Sequence, residues 1–124
     1  MIKEINLILT ENQAAIVSRA CEFYCRIFCG QFQEIPYELM FHQSMADGEW
    51  CYRREKAEEV LLEARKYIYP ELRGAGHSYG VGKFQNADTA WNVYQVLRYV
   101  LGDERKPFAL FGEKLPECQI KEKE

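Results

Sequence analysis

Apolar and polar positions alternate first with a period of two and then with a period near 3.6. Residues 2–9 set Ile5, Leu7 and Leu9 on one face and Glu4 and Asn6 on the other, which predicts a short strand. Thr10-Glu11-Asn12-Gln13 has the form of a capping box, with Thr at N-cap and Gln at N3, and predicts a helix to about Cys29. Ile16, Val17, Ala20, Cys21, Phe23, Tyr24, Ile27 and Phe28 cover roughly half of its circumference at about 100° per residue. Ser18, Arg19, Glu22 and Arg26 take the other side, and Glu22 and Arg26 form an i,i+4 pair. So wide an apolar face implies a central helix or a packed subunit interface. Gly30 weakens the helix, and 31–43 predict an irregular continuation with Pro36 in the first turn of a new helix. A turn-rich loop at 44–50 precedes a helix over about 51–69 with the stripe Ala57, Val60, Leu61, Ala64 and Ile68. The charges from Arg53 to Glu59 make a solvated face.

A last helix is predicted over about 87–101, capped by Asn86 and stopped by Gly102 at C′. Its stripe is Ala87, Ala90, Trp91, Tyr94, Leu97 and Leu101, and Val93, Val96 and Val100 form a second patch. Arg98 falls inside the stripe. Burying a lone guanidinium is costly, so it either pairs with a carboxylate or faces an anion. In the tail, Phe108 to Phe111 can dock on the core, and Cys118 to Lys121 can pair with residues 2–9. The expected fold is therefore mainly α (α+β): three principal helices plus a short strand pair from the termini, in a single domain, 1–124.

Charge narrows the functional classes. A net charge of −3 and a pI of about 5.5 supply no global field toward nucleic acid or an anionic membrane. No apolar run reaches the ~18 residues of a membrane span, and the start lacks a signal-peptide apolar region, so a cytosolic (cytoplasmic) chain is expected. The five cysteines, an odd number, imply reduced thiols. Cys21, Cys25 and Cys29 lie near one side of the first helix, without the second ligand pair that a zinc site uses. They are read as small buried hydrophobes, with a metal or redox role as the alternative.

Between the last two helices lies the stretch from Arg73 to Phe84, which holds half of the eight glycines. A plain helix connection needs only about 2–8 residues. The loop is either a long surface connector or a ligand-facing cradle for an anion. It is neither a P-loop nor a dinucleotide fingerprint. Backbone amides of a glycine-rich turn, together with those of the following helix, form an electropositive concavity. Arg73, His77 and Lys83 add charge, Ser78 adds a hydroxyl, Gly80 and Gly82 admit close approach, and Tyr79 and Phe84 offer stacking faces. Arg98 would neutralise phosphate and Tyr94 would line the wall. No catalytic constellation stands out. His77 beside Ser78 is too close in sequence for a base and nucleophile, and a cysteine nucleophile, Cys51 or Cys21 with His77 or His42, is the remaining option. No metal site or cofactor is expected.

Four stretches carry a resemblance: Leu7 to Ala14; Phe23-Tyr24-Cys25-Arg26 with Gly30-Gln31-Phe32; His77-Ser78-Tyr79-Gly80-Val81-Gly82; and Ala90 to Arg98. Over most of its length the chain resembles a family of small phage and prophage proteins of unassigned function. It departs from that pattern in the cysteines of its first helix and in Trp91-Asn92, where Tyr-Asp is frequent. The resemblance implies a counter-defence factor that binds a host signalling nucleotide or blocks a host protein. The expectation is a non-catalytic, homo-oligomeric protein of the host-cell cytosol that sequesters a small anionic ligand, such as a cyclic or adenine nucleotide. The alternatives are an inhibitor that binds a host enzyme and, third, a small nucleotide-modifying enzyme.

Overall fold

Thr10 opens the first helix as a capping box: Oγ1 accepts from the Gln13 amide at 3.1 Å, and Gln13 Oε1 accepts from the Thr10 amide at 2.9 Å. In this computed structural model, which describes residues 3–41, 43, 48–110 and 114–122, that helix is α1 (Glu11–Phe28). It is followed by α2 (Glu34–Met40), α3 (Gly48–Ile68) and α4 (Gln85–Val100). The described residues are helical or irregular and contain no strand.

α1 and α4 make the main helix pair. They run antiparallel: Cys29 at the end of α1 packs near the start of α4, while Ile16 shares a groove with Val93. The core at their junction is Cys25, Cys29 and Ala87, packed by Phe28, Tyr79, Phe84, Ala90 and Trp91. α1 ends at Gly30, whose φ of 91° strains any side chain, and a Cβ there would stand 2.5 Å from Leu72 Cδ1, so that Leu72 would have to shift. At the other end of the fold, Gly102 (φ 113°) closes α4 at the predicted place, its amide donating to Tyr99 O.

Among the described residues, α3 packs closely against α2 and meets α1 across an open groove at Ile68. It is anchored at its ends. Trp50 Nε1 donates to Met40 O at 3.1 Å, and Arg65 is buried near the far end. The predicted stripe on α3 is therefore largely uncovered, with Val60, Ala64 and Ile68 exposed.

Several expectations need correction. Among the described residues the strand pair from the termini does not form, and there are four helices, because the irregular continuation of the first helix contains α2. Residues 3–9 and 118–121 are without regular structure, and all of them but Leu9 are exposed. The N-terminal segment meets the C-terminal stretch ahead of residue 118, through the ion pair of Glu4 with Lys114 at 3.8 Å. Two short strands with neither a third strand nor a covering helix are marginal in water. Asn86 does not cap α4. The N-cap is Phe84, without a side-chain bond, because Asp88 in the first turn already fixes the chain there. Ser18, expected on a polar face, is buried. Most of the predicted loop at 44–50 falls outside the described residues, and its end, 48–50, is helical. Phe111 also lies outside them.

Candidate functional site

The glycine loop is tied to the body from below by Arg65. This side chain is 2% exposed, and its guanidinium donates from Nη1 to Gly30 O (2.9 Å) and His77 O (2.8 Å) and from Nη2 to Gly74 O (2.6 Å). Its place follows from α3: Arg65 is four residues after Leu61 and three before Ile68, so it lies along the apolar stripe. Three further bonds complete the anchoring. The Tyr79 amide donates to Cys29 O at 2.8 Å, the Gly74 amide donates to His77 Nδ1 at 3.3 Å, and the Gly82 amide donates to Asp88 Oδ1 at 2.8 Å.

That last bond bears on anion binding. The start of α4 and the φ 95° turn at Gly82 are where an anion would be drawn, and the carboxylate of Asp88, itself buried, stands there. The stacking faces are also engaged. Tyr79 meets Tyr69 and Phe84 edge to face, with centroids 5.3 and 5.1 Å apart, and Phe84 meets Phe28 at 5.0 Å. Tyr69 donates its hydroxyl proton to Phe28 O at 2.6 Å, and burial pushes its pKa up. Lys83 Nζ lies 5.6 Å from the Tyr79 ring centroid.

The expected site residues divide into two groups. Arg73, His77, Ser78, Tyr79, Gly80, Gly82 and Lys83 share the loop, and all of these residues but Tyr79 are exposed. Gly80 faces inward through its carbonyl, 4.0 Å from Cys29 Sγ. Tyr94 and Arg98 are not with them. Arg98 is ten residues beyond Asp88 on α4, about 15 Å along the axis. It lies over Tyr94, 4.8 Å from the ring centroid, and its Nε, 3.9 Å from Asp103 Oδ1, makes no hydrogen bond. The expected pairing of Arg98 with a carboxylate is thus met by the Asp103 ion pair. Asp103 shares that pair with Arg105, at 2.9 Å from Nε and 2.7 Å from Nη2. The Arg105 guanidinium, with Arg98 adding to it, holds the Asp103 carboxyl well below the usual carboxylate range.

Two features escaped the pattern of the sequence. Asp88, Asn92 and Gln95 are buried on α4 at i, i+4 and i+7. This polar stripe at helical spacing was the available signal. Gln95, wholly buried, donates from Nε2 to Phe108 O (2.9 Å) and accepts at Oε1 from the Phe108 amide (3.1 Å). Asn92 Oδ1 accepts from the Leu110 amide at 3.2 Å. The tail is thus gripped through its backbone.

The second feature is a pair of open apolar grooves on either side of α1. One, about 450 Å³, is walled by Phe23, Ile27, Phe28, Phe32, Ile68 and Tyr69. The other, about 670 Å³, lies between Ile16, Val17 and Cys21 of α1 and Asn86, Thr89, Ala90 and Val93 of α4. Ala20 and Tyr24 belong to both. Arg73, His77, Ser78 and Lys83 line neither groove.

Cys25 and Cys29 are core groups, Cys21 is half-buried, and Cys51 and Cys118 are exposed. The three thiols of the first helix and its cap are perturbed by their surroundings. Burial, reinforced by the neighbouring Cys29, pushes Cys25 up to about 12, and burial also raises Cys29 and Cys21. They are neutral at pH 7, a poor state for a nucleophile or metal ligand. The described residues contain no group of three His, Cys, Asp or Glu side chains suited to a metal ion, and no helix long and apolar enough to cross a membrane. No protein-family profile matches the chain, and neither does any curated protein or solved structure.

Proposed function

We propose that this chain is a non-catalytic binding protein that docks a helix of another protein along α3 and the 450 Å³ groove. The observation that carries this is continuity. The exposed row Val60, Ala64 and Ile68 is spaced i, i+4, i+8 on one face of α3, and Ile68 is also a wall of the aromatic groove. An amphipathic helix presents an apolar row of matching spacing, and such rows seat in grooves of this kind. The resemblance to small phage proteins supports a host enzyme as the partner, met in the host-cell cytosol and blocked by occupation.

A photo-crosslinking residue at position 68 identifies the partner in cells, and binding of the purified partner is then measured. Ile68→Glu and Phe23→Ala should each weaken binding at least about tenfold, the range of a lost interface anchor, while Lys83→Ala leaves it unchanged. Binding that ignores both groove substitutions would refute the proposal.

A second reading keeps the loop as an anion site. Its support is that a Cβ at Gly76 or Gly80 would meet nothing, so the fold itself has no need of glycine there, and that Arg73, His77, Ser78 and Lys83 are exposed on a tethered backbone. Calorimetry with cyclic and adenine nucleotides tests it. Heat that disappears in Arg73→Ala supports sequestration of a signalling nucleotide, and a flat titration across the panel discards it.

A further inference from the structure

The N-terminal segment and the groove between α1 and α4 are both apolar, and neither is covered. Ile5, Leu7 and Ile8 are 89%, 71% and 86% exposed, on a segment that makes no backbone hydrogen bond to the rest of the described chain. The stretch Ile5-Asn6-Leu7-Ile8-Leu9 thus carries three of its four aliphatic side chains into water, with Leu9 half-buried. The groove offers Ile16, Val17, Ala20, Cys21, Ala90 and Val93 at its floor and walls. The lengths agree. Ile5 to Leu9 spans about 13 Å when extended, and the groove follows α1 from Ile16 to Tyr24, about 12 Å.

The segment does not lie in its own groove. It leaves α1 at Thr10, whose φ of −68° and ψ of 164° are held by the capping box, so the chain runs off the helix end instead of doubling back along it. The ion pair of Glu4 with Lys114 draws it toward the C-terminal stretch. A copy related by a two-fold axis meets neither obstacle. The segment leaves α1 ahead of Ile16, at the Ile16–Val93 end of the groove, and a two-fold arrangement would place both segments at once.

We propose that a second copy of this chain covers the groove between α1 and α4, with residues 5–9 of each copy lying in the groove of the other. This goes beyond the partner-docking reading, which uses the other side of α1, and each stands without the other.

The test uses the full chain. Light scattering should give twice the chain mass across a wide concentration range. Ile8→Glu, Val93→Glu and deletion of residues 1–9 should each weaken association at least about tenfold, since a carboxylate in an apolar groove is unpaired. Because Cys21 lines the groove, Ile8→Cys in a Cys51→Ser, Cys118→Ser background should form a disulfide between chains under a mild oxidant. That product should vanish when Cys21→Ser is added. Circular dichroism confirms that each variant is folded. A monomer at all concentrations overturns the proposal. So does a dimer indifferent to loss of the segment, or a disulfide that closes within one chain. Ile68→Glu should leave the mass unchanged, which separates this outcome from failure of the partner-docking groove.

Discussion

Arg65 has three carbonyl oxygens around its guanidinium, on Gly30, Gly74 and His77, and bonds to a charged donor contribute about 1.5–3 kcal/mol each before the cost of burying the charge. Arg65→Met keeps the length of the side chain and leaves those oxygens without their donors. It should lower stability by about 3 kcal/mol in urea unfolding, whereas exposed Arg73→Ala stays within about 0.5 kcal/mol. Cys25 supplies a pH-dependent prediction. Its thiol moves from an ordinary 9.0 to about 12 on folding, through burial. The folded chain thus holds a proton that the unfolded chain releases above pH 9. The stabilising effect is complete below pH 9 and lost as pH rises toward 12. Unfolding free energies measured between pH 8 and 11 should fall with pH, and Cys25→Ala should flatten that slope.

At the scale of elements, α4 holds the tail through side-chain amides that act as a strand edge would. Gln95→Ala removes both bonds to Phe108, so exchange of the Phe108 amide should accelerate while exchange in the middle of α4 stays slow. Elements with local signals were legible in the sequence. The capping box at Thr10 and the glycine after α4 involve neighbours a few residues away, and both stand where expected. The strand pair failed because alternation specifies a strand only where a partner edge exists, and that partner is a matter of the whole fold. Asp88, Asn92 and Gln95 were overlooked for a related reason. A polar stripe looks solvated until something covers it, and what covers it here comes from the loop and from residues 108–110. The candidate loop was legible as an exception to a plain connector. Its tether, Arg65, was hidden in a run of charges, and its distance from Arg98 follows from the length of α4, which side-chain chemistry alone does not reveal.

At the scale of the whole molecule, the described residues leave apolar surface along α3, in both grooves beside α1 and on the N-terminal segment, among other places. A chain of this size gains little by exposing them, so their use is expected to lie between molecules. That assignment has a direct check. A residue kept for packing within the fold loses stability when charged, while one kept for contact between molecules does not. Ile68→Glu should shift the unfolding free energy by no more than about 0.5 kcal/mol even where it abolishes partner binding.

Arg65 ties together the turn after α1, the beginning of the glycine loop and the last turns of α3, three stretches far apart in sequence. They then open as one cooperative unit, because freeing any one of them withdraws the donor that the others share. A ligand or protein that pulled on the loop would be felt at the ends of two helices, without either helix having to bend.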